Sequence, residues 1–484
     1  MALKYLIAFQ IIAALIGLSN ALVNTRFVDL RVDHFNPLDR RTYDGRYFVN
    51  SEHWISGGVI FLYVSGGFEL YDDFLTRGVM YELAEETRGM IVSLEHRYYG
   101  TSRPTEDTSV ANLQWLNAHQ ALADIAQFVE FIRANYYGAE NARVIAFGRG
   151  YGGTLAAWAR QKYPSAVDAV WASSAYINGV LEYPQFMTNT FNTINSIGGP
   201  ECGSILEDAF RMIEDEIRAG DTSYTEERLR LCSPIDIHDN EAIARLFYGI
   251  AADIGFAFVS NARYPEIDDK CTLMRGLNTP ENLPENAIDA FARWFADDFN
   301  RNLECLNYEN SAVLGMYQQV EWNTVSTIAG RRQNLWLQCS QLGQFAVANE
   351  GENHPFGWRF DRNFFIQWCA QVFEEANFSE SVMEELIGRT NEYFGGFNPH
   401  IYRVFFTHGE MDPRRSLGPS EDLNPNAPVV VMSLQSAGRD FGPTAEADYV
   451  VLQQTKARAR ALMTEWIFDA LEEERPPPVS PLSV

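Results

Sequence analysis

A glycine-rich segment at residues 148–153, GRGYGG, has a spacing that points to chemistry. It follows the apolar run ARVIAF at residues 142–147 and precedes the Ala-rich stretch TLAAWARQK at residues 154–162. A strand, a tight turn and a helix in this order are the setting of the GxSxG pattern, in which small residues let the helix pack behind a strained nucleophilic serine. The centre of the pattern is Gly150 in this chain, which has no side chain to act as a nucleophile.

A serine nucleophile works with a histidine that accepts its proton and a carboxylate that orients the histidine. The sequence offers a carboxylate at Asp412, in the segment GEMDP that follows an apolar run at residues 402–407. A histidine downstream of this carboxylate is absent, because none occurs after His408. Of the three groups, only the acid has an evident candidate.

The elements that would hold these residues alternate along the chain. Short apolar runs that end in turns are typical of buried parallel strands, and apolar residues at helical spacing indicate helices between them. The predicted strands cover residues 59–64, 90–94, 142–147, 402–407 and 429–434, and the predicted helices cover residues 117–136, 154–162 and 457–471. This alternation predicts a parallel sheet covered by helices, which is the α/β class.

The middle of the chain contains all six cysteines, namely Cys202, Cys232, Cys271, Cys305, Cys339 and Cys369. An even number of cysteines in a chain with a secretory signal predicts disulfides, whose pairing the sequence leaves open. Neither CxxC spacing nor a nearby pair of histidines accompanies them, so zinc binding is not expected. We predict a disulfide-stapled α-helical cap at residues 184–395, inserted between two parts of the sheet domain at residues 22–183 and 396–474.

The ends of the chain and its charge limit where it resides and what it binds. Residues 1–21 have the pattern of a signal peptide with an apolar run too short to span a membrane, and residues 475–484 form a Pro-rich tail predicted to be unstructured. We therefore expect a secreted or lysosomal protein, with Asn377 as a glycosylation acceptor.

The net charge of -26 argues against nucleic acid or an anionic membrane as a partner. No HExxH motif or histidine cluster is present, so neither a metal nor another cofactor is expected.

Several segments resemble the prolyl carboxypeptidase and dipeptidyl peptidase II family of serine peptidases. The residues Tyr151, Gly152 and Gly153 and the Ala-Ala-Trp at 156–158 match the stretch that follows the catalytic serine of that family. The run EHRYYG at residues 95–100 is highly specific to it. Further matches lie in family order at residues 33–35, 46–48, 120–124, 336–339 and 408–413. The resemblance implies an α/β-hydrolase fold with an inserted helical cap domain.

The catalytic triad of the family is only partly retained. By resemblance, Asp412 matches the acid, Gly150 falls at the serine, and Gly438 falls near the histidine, in the segment SAGRDF. The Gly-Gly-Glu that the family carries after its first strand has also changed, to Phe68 at its third residue. Loss of the serine or the histidine alone lowers kcat on the order of a millionfold. We therefore expect a homologue of prolyl-specific serine exopeptidases that is a non-catalytic peptide-binding or decoy protein.

Two other hypotheses stay open at this stage. An active exopeptidase would need relocated catalytic groups, for which Thr154, Ser173, Ser174 and His408 are the candidates nearest in the sequence. A homodimer is an option, because some relatives dimerise. His34, His96 and Arg97 belong to family signatures, and we interpret them as structural.

Without a histidine, we expect the Asp412 carboxylate to have another partner. A buried carboxylate without a partner destabilises the fold by about 3 to 5 kcal/mol. Arg439, beside the lost histidine, is the first candidate for an ion pair with Asp412, and Arg149 in the glycine turn is the second. Arg414 follows the same acid. We assign Arg149, Tyr151 and Arg439 as binding residues and expect a positively charged cleft that suits an anionic ligand such as a peptide carboxylate.

Overall fold

The computed structural model describes residues 23–276, 283–299, 304–349, 351 and 354–468. The predicted signal peptide at 1–21 and the predicted tail at 475–484 lie outside the described residues. Within these ranges, no helix is both long enough and apolar enough to cross a membrane.

The strands and helices follow one another as the α/β class requires. The strands are β1 (Asn24–Arg31), β2 (Thr42–Asn50), β3 (Ile60–Val64), β4 (Met90–Leu94), β5 (Val144–Arg149), β6 (Ala169–Ser173), β7 (Val180–Glu182), β8 (Gly343–Phe345), β9 (Val404–Gly409) and β10 (Val429–Met432). The helices are α1 (Asp73–Thr76), α2 (Val79–Thr87), α3 (Val110–Leu113), α4 (Ala118–Asn135), α5 (Tyr151–Lys162), α6 (Gln185–Gly198), α7 (Pro200–Ala219), α8 (Ser223–Leu229), α9 (Asn240–Ala252), α10 (Tyr264–Met274), α11 (Ala287–Phe299), α12 (Asn310–Gln318), α13 (Val325–Ile328), α14 (Arg331–Leu337), α15 (Arg362–Val372), α16 (Glu380–Phe394) and α17 (Val450–Phe468). Two π-helical turns, Asp253–Val259 and Gln338–Leu342, extend α9 and α14.

One sheet of eight strands has the order β1-β2-β4-β3-β5-β6-β9-β10. The strands from β4 to β10 in this order are parallel to one another, whereas β2 pairs antiparallel with both β1 and β4. The predicted mostly parallel sheet is therefore confirmed. Its carboxyl ends carry β5, β6 and β9 side by side, so residues that follow these strands meet at one edge of the sheet.

The sequence-based prediction missed three strands of this sheet. Strands β1 and β2 alternate buried and exposed residues or carry many polar ones, so they lack a continuous apolar run. Strand β6 is preceded by Asp168, which interrupts the apolar pattern of the sequence. The Asp168 carboxylate accepts the backbone N–H of Val144 at 2.8 Å and so joins β6 to the start of β5. The local sequence shows only the polar residue, not the backbone group that it satisfies.

Alternate residues of β5 point to opposite faces of the sheet, and each face has its own apolar layer. Val144 and Ala146 pack in the layer that contains α4 and α5. Ile145 and Phe147 pack in the layer that contains α2 and α17. Because both faces are covered, the strand can be apolar at nearly every position, which is the pattern that identified it in the sequence.

A buried ionic network ties the edge strands to α4. The Asp124 carboxylate accepts hydrogen bonds from Arg97 at 2.6 Å, from the His34 ring at 2.7 Å and from the Tyr43 hydroxyl at 2.9 Å. Burial acts to raise the pKa of the Asp124 carboxyl, but the charge of Arg97 and these hydrogen bonds hold that pKa below its usual value. Arg97 and Asp124 form a buried charge pair, and His34 donates to the same carboxylate. His34 and Arg97 therefore support the fold here.

The helices between β6 and β9 form the cap, which three disulfides cross-link. Cys202–Cys271 joins α7 to α10, Cys232–Cys305 joins the chain after α8 to the chain before α12, and Cys339–Cys369 joins the second π-helical turn to α15. The predicted disulfides are confirmed, and the structure supplies the pairing that the sequence left open. No group of three or more His, Cys, Asp or Glu side chains in the described ranges could hold a metal ion.

We expect the cap to lose stability first on reduction. The disulfides span 69, 73 and 30 residues along the chain. Loops of this size predict a stabilisation of about 3 to 5 kcal/mol for each bond through restriction of the unfolded chain, and more for the wider loops. Hydrogen exchange of the reduced protein should show lost protection in α7, α10 and α15 while β3 and β5 stay protected. Equal loss in the sheet, or free thiols by mass spectrometry of the oxidised protein, would contradict this prediction.

Candidate active site

The turn between β5 and α5 has the backbone shape of a nucleophile elbow. Gly150 connects the strand to the helix with φ 55° and ψ -125°, a conformation in which residues with a side chain are strained by about 1 to 3 kcal/mol. The neighbouring glycines allow a close approach: a Cβ on Gly148 would overlap the carbonyl oxygen of Gly152, and a Cβ on Gly152 would overlap that of Val64. Helix α5 therefore lies directly against β5 and β3.

The space at Gly150 is open. A Cβ on Gly150 would meet only the Tyr176 ring, at 3.8 Å, which is an ordinary van der Waals distance. A serine side chain would thus fit at this point of the turn. The packing therefore does not require glycine here, and glycine avoids the backbone strain that a side chain would cause.

Asp412 is buried at the carboxyl end of β9, where the acid was predicted. Its Oδ1 accepts the backbone N–H of Arg414 at 3.0 Å. Burial raises the pKa of the Asp412 carboxyl above its usual value, while this N–H and the charges of Arg414 and Arg149 act to lower it. The Ser174 hydroxyl also acts to lower it, and its oxygen accepts the Gly438 N–H at 3.3 Å.

The predicted ion pair between an arginine and Asp412 is wrong. In the described part of the chain, no arginine nitrogen lies within 4.0 Å of this carboxylate. The nearby guanidinium groups bind elsewhere. Arg439 donates to the Ser436 hydroxyl at 3.2 Å and to the Asn261 carbonyl at 2.7 Å. Backbone and hydroxyl donors that lie next to the acid take the place of a cation, which fits its raised pKa.

Arg149 occupies the space next to Gly438, the residue that was predicted to lie near the histidine position of the family. Gly438 has φ 68°, and a Cβ on it would overlap Nε and Cδ of Arg149. The Arg149 guanidinium then reaches the cap, where Nη2 donates to the side-chain oxygen of Asn261 at 3.0 Å. A histidine at residue 438 and the present position of the Arg149 side chain are therefore mutually exclusive.

The third residue assigned to binding, Tyr151, makes no side-chain hydrogen bond to Arg149 or Arg439 in the described structure. Its ring packs against His96 with centroids 5.6 Å apart, and its hydroxyl is buried without a hydrogen-bond partner in the described structure. Its place beside Gly150 is set by the start of α5.

The candidates for relocated catalysis are not arranged for it. Thr154 bonds the Tyr176 carbonyl at 2.9 Å, and Ser173 donates to Asp440 at 2.6 Å. Among the described residues, none of the hydroxyls of Thr154, Ser173 and Ser174 hydrogen-bonds a histidine. A general base must lie within hydrogen-bond reach of the hydroxyl that it activates, and no such pair is present at this site.

Two residues that line the site were not identified from the sequence. Asp440 is fully buried and accepts hydrogen bonds from Ser173, from Thr407 and from the Trp171 indole at 3.1 Å, and burial raises the pKa of its carboxyl. Asn261 comes from the cap and contacts both Arg149 and Arg439. No local sequence signal marks either residue, because each acquires its role through contacts with distant segments.

His408 lies in β9 with 1% of its surface exposed, and neither ring nitrogen has a hydrogen-bond partner among the described residues. Burial, helped by the charge of Arg415, lowers the pKa of its imidazole to about 4. The ring is therefore neutral at neutral pH. It acts as a packing residue beneath the site and not as a base.

Comparisons with known proteins agree with the signatures in the sequence. The profile of the family described as Serine carboxypeptidase S28 matches residues 30–459. The thymus-specific serine protease of Mus musculus is 28% identical over 453 residues, which cover 90% of this chain and 86% of that protein. The lysosomal Pro-X carboxypeptidase of Bos taurus is 27% identical over 466 residues, with 92% and 88% covered. Among solved structures, a proline iminopeptidase of Mycobacterium smegmatis matches with a TM-score of 0.37 and 12% identity, covering 91% of this chain and 98% of that one.

We predict that Gly438→His destabilises the protein chiefly through Arg149. The new side chain should overlap Arg149 and lower the free energy of unfolding by about 1 to 3 kcal/mol beyond the strain of a left-handed residue. In an Arg149→Ala background this extra loss should disappear, as a double-mutant cycle of chemical denaturation would show. Gly220→His is the matched control, since Gly220 has the same left-handed conformation (φ 83°, ψ 14°) and a Cβ on it would meet only Ile237, at 3.9 Å. An equal loss for Gly438→His in both backgrounds would contradict the overlap.

We also predict that His408 makes the protein sensitive to acid. The pKa of its imidazole is about 4 when folded and 6.5 when unfolded, so the unfolded chain binds one more proton between these values and stability falls as the pH drops through this window. The fall should approach about 3 kcal/mol. In His408→Gln and His408→Leu, denaturation between pH 7 and pH 4 should show a shallower pH dependence by this amount. Since the buried carboxyls of Asp412 and Asp440 remain in all three proteins, an unchanged pH profile would exclude His408 as the cause.

Proposed function

Because the chain belongs to the serine carboxypeptidase S28 family, we propose that it is a non-catalytic member that binds a peptide or protein ligand. Its relatives include serine proteases and lysosomal Pro-X carboxypeptidases, and it has the turn that would hold a nucleophile. The single observation that carries the proposal is Gly150. It lies at the centre of that turn and has no atom that could attack a peptide bond.

The catalytic mechanism of serine peptidases explains why glycine at residue 150 matters. A serine peptidase forms a covalent intermediate through the serine oxygen, and the histidine transfers the proton in both steps. Without both groups, only binding and the electrostatic environment of the site remain. Asp412 is retained, but it is bound by a backbone N–H and not by an imidazole. A ligand that reached this site would be held and released unchanged, which is the behaviour of a decoy or carrier.

The alternative is an active exopeptidase cleaving next to proline with relocated catalytic groups. It requires a hydroxyl and a base within hydrogen-bond reach of each other. The Ser173 hydroxyl donates to the Asp440 carboxylate, and both side chains are fully buried. A substrate cannot approach such a pair, so the observations favour the non-catalytic member.

The proposal includes a secreted or lysosomal location, in line with the lysosomal Pro-X carboxypeptidases among the relatives. Three disulfides in the cap support an oxidising compartment. Asn377 supports glycosylation there, because its side chain is exposed in the turn before α16. Association of two copies into a homodimer belongs to the same proposal.

The test is covalent labelling of the purified, disulfide-bonded protein with a serine-reactive fluorophosphonate, together with cleavage assays on prolyl peptides between acidic and neutral pH. The parent protein should not be labelled and should not cleave above background, since no activated hydroxyl is available. Thr154→Val, Ser173→Ala and Ser174→Ala serve as controls for adventitious labelling. Labelling that persists in all three variants together with cleavage would overturn the proposal.

A designed variant supplies the positive control. Gly150→Ser with Gly438→His restores the two lost groups in sequence, but the Arg149 side chain overlaps the second of them. The triple variant that also carries Arg149→Gly should therefore be labelled more strongly than the double variant. Labelling of the triple variant would show that the probe reaches the site. An unlabelled parent protein would then lack the reacting groups, and restricted access of the probe would not be the reason.

A further inference from the structure

The three disulfides of the cap differ in their access to solvent. Two of them are buried, because at most 1% of the surface is exposed at each of Cys202, Cys271, Cys339 and Cys369. Cys232 is exposed and Cys305 is half-buried, so the third disulfide lies at the surface. A thiolate cleaves a disulfide by attacking one of its sulfur atoms, and exposed disulfides are the ones that exchange readily.

The two chain segments that this surface disulfide joins are paired over a short distance. We call residues 231–236 and 304–309 the bridged segments. The Cys232 N–H donates to the Leu306 carbonyl at 2.9 Å, and the Leu306 N–H donates to the Arg230 carbonyl at 2.8 Å. A two-stranded pairing of this length is marginal in water without further support. The pairing of the bridged segments therefore depends on the disulfide.

Each bridged segment is anchored to a different helix of the cap. The Ile235 N–H of the first segment donates to the Glu226 carboxylate of α8 at 2.9 Å. The Tyr308 ring of the second lies directly on α9, because a Cβ on Gly249 would overlap it. The Tyr308 hydroxyl also donates to the Asp253 carboxylate at 2.7 Å. When the disulfide is cleaved, the segments can part while each keeps its own anchor.

An apolar pocket lies between the bridged segments and α9. It is open to solvent and has a volume of about 410 Å³, and its lining includes Leu231, Pro234, Ile235, Ala242, Leu246 and Leu306. Leu246 and Leu306 have only 3% and 6% of their surfaces exposed. Parting of the segments would uncover both side chains, so the disulfide limits how much apolar surface the cap presents.

A positive charge lies next to the half-buried end of the disulfide. Arg230 Nη2 donates to the carbonyl of Glu304, the residue before Cys305, at 2.7 Å. A cation beside a cysteine stabilises its thiolate. If the exposed Cys232 sulfur is attacked, Cys305 is the leaving group, and a more stable thiolate leaves faster. Arg230 therefore favours cleavage in this direction.

We infer that Cys232–Cys305 is a thiol-exchange site, at which a small thiol opens the apolar pocket of the cap and leaves the two buried disulfides closed. First, a thiolate RS⁻ attacks the Cys232 sulfur and forms a mixed disulfide, and the Cys305 thiolate leaves and takes up a proton. A second RS⁻ then attacks the RS sulfur and releases the Cys232 thiolate, which is protonated in turn. In sum, two RSH are oxidised to RSSR and one disulfide is reduced to two thiols. The exchange uses no group at the sheet edge, so it is independent of catalysis.

The experiment is timed reduction of the full disulfide-bonded protein with 2-mercaptoethanol, an uncharged thiol, followed by trapping with N-ethylmaleimide and peptide mass spectrometry. Cys232 and Cys305 should be alkylated roughly 100-fold faster than the other four cysteines, which a thiol reaches only after local opening of the cap. The trapped mixed disulfide should lie on Cys232. Equal rates for the surface disulfide and either buried one overturn the inference, and a mixed disulfide on Cys305 overturns the direction of attack.

The role of Arg230 has its own test. Arg230→Gln should slow the exchange roughly 3- to 10-fold through loss of the charge, and Arg230→Lys should restore most of the rate. A merely structural role would have the opposite effect, because the segments would part more easily and the exchange would be faster. Arg218→Gln is the matched control, since Arg218 is an exposed arginine of α7 paired with Asp215 at 3.2 Å. Equal slowing in the control reflects net charge alone and overturns the role of Arg230.

Hydrogen exchange of the singly reduced and alkylated protein tests whether the pocket opens. The bridged segments should lose protection, whereas α7, α10 and the π-helical turn Asp253–Val259 should keep it. Cys232→Ser with Cys305→Ser should give the same pattern without an alkyl group, which separates loss of the disulfide from the bulk of the label. Unchanged protection in the bridged segments overturns the opening of the pocket. Loss of protection in α7 and α10 as well means that the cap unfolds, and also overturns it.

Discussion

Helix α5 lies so close to β5 and β3 that no side chain fits between them, and the candidate site depends on this contact. Gly148 and Gly152 make the approach sterically allowed, and the chain must then pass from strand to helix within one residue, Gly150. The same contact brings the ends of β6 and β9 to the turn. Since the packing rests on the neighbouring glycines, the architecture of the site does not depend on whether residue 150 carries a side chain.

In the described part of the chain, the carboxyls of Asp412 and Asp440 are buried at this edge of the sheet, and neither has an Arg, Lys or His nitrogen within 4.0 Å. Asp412 is bound by a backbone N–H beside a serine hydroxyl, and Asp440 is bound by two hydroxyls and an indole N–H. Neutral donors stabilise a charged carboxylate less than a cation does, and burial raises the pKa of both groups. Retention of an acid therefore says little about catalysis once its imidazole partner is absent. The carboxyl becomes part of the packing.

The positions 149, 150 and 438 are coupled in space. Glycine at 438 makes room for the Arg149 side chain, and that side chain in turn excludes a histidine. Glycine at 150 leaves the volume in front of the Tyr176 ring open. The side chains at this edge of the sheet are therefore arranged by the small residues between them.

Local patterns determined the α/β class, strands β3, β4 and β5, the glycine turn and the absence of a nucleophile, because each depends on residues adjacent in the chain. The family signatures also located Asp412. They could not show where the arginines point: Arg439 was expected at Asp412 but bonds Asn261, about 180 residues away in sequence. The disulfide pairing, the burial of Asp440 and the overlap of Arg149 with residue 438 were likewise decided by tertiary structure. A side chain takes its partner from what packing brings within about 3 Å, and nothing in the local sequence encodes that neighbour.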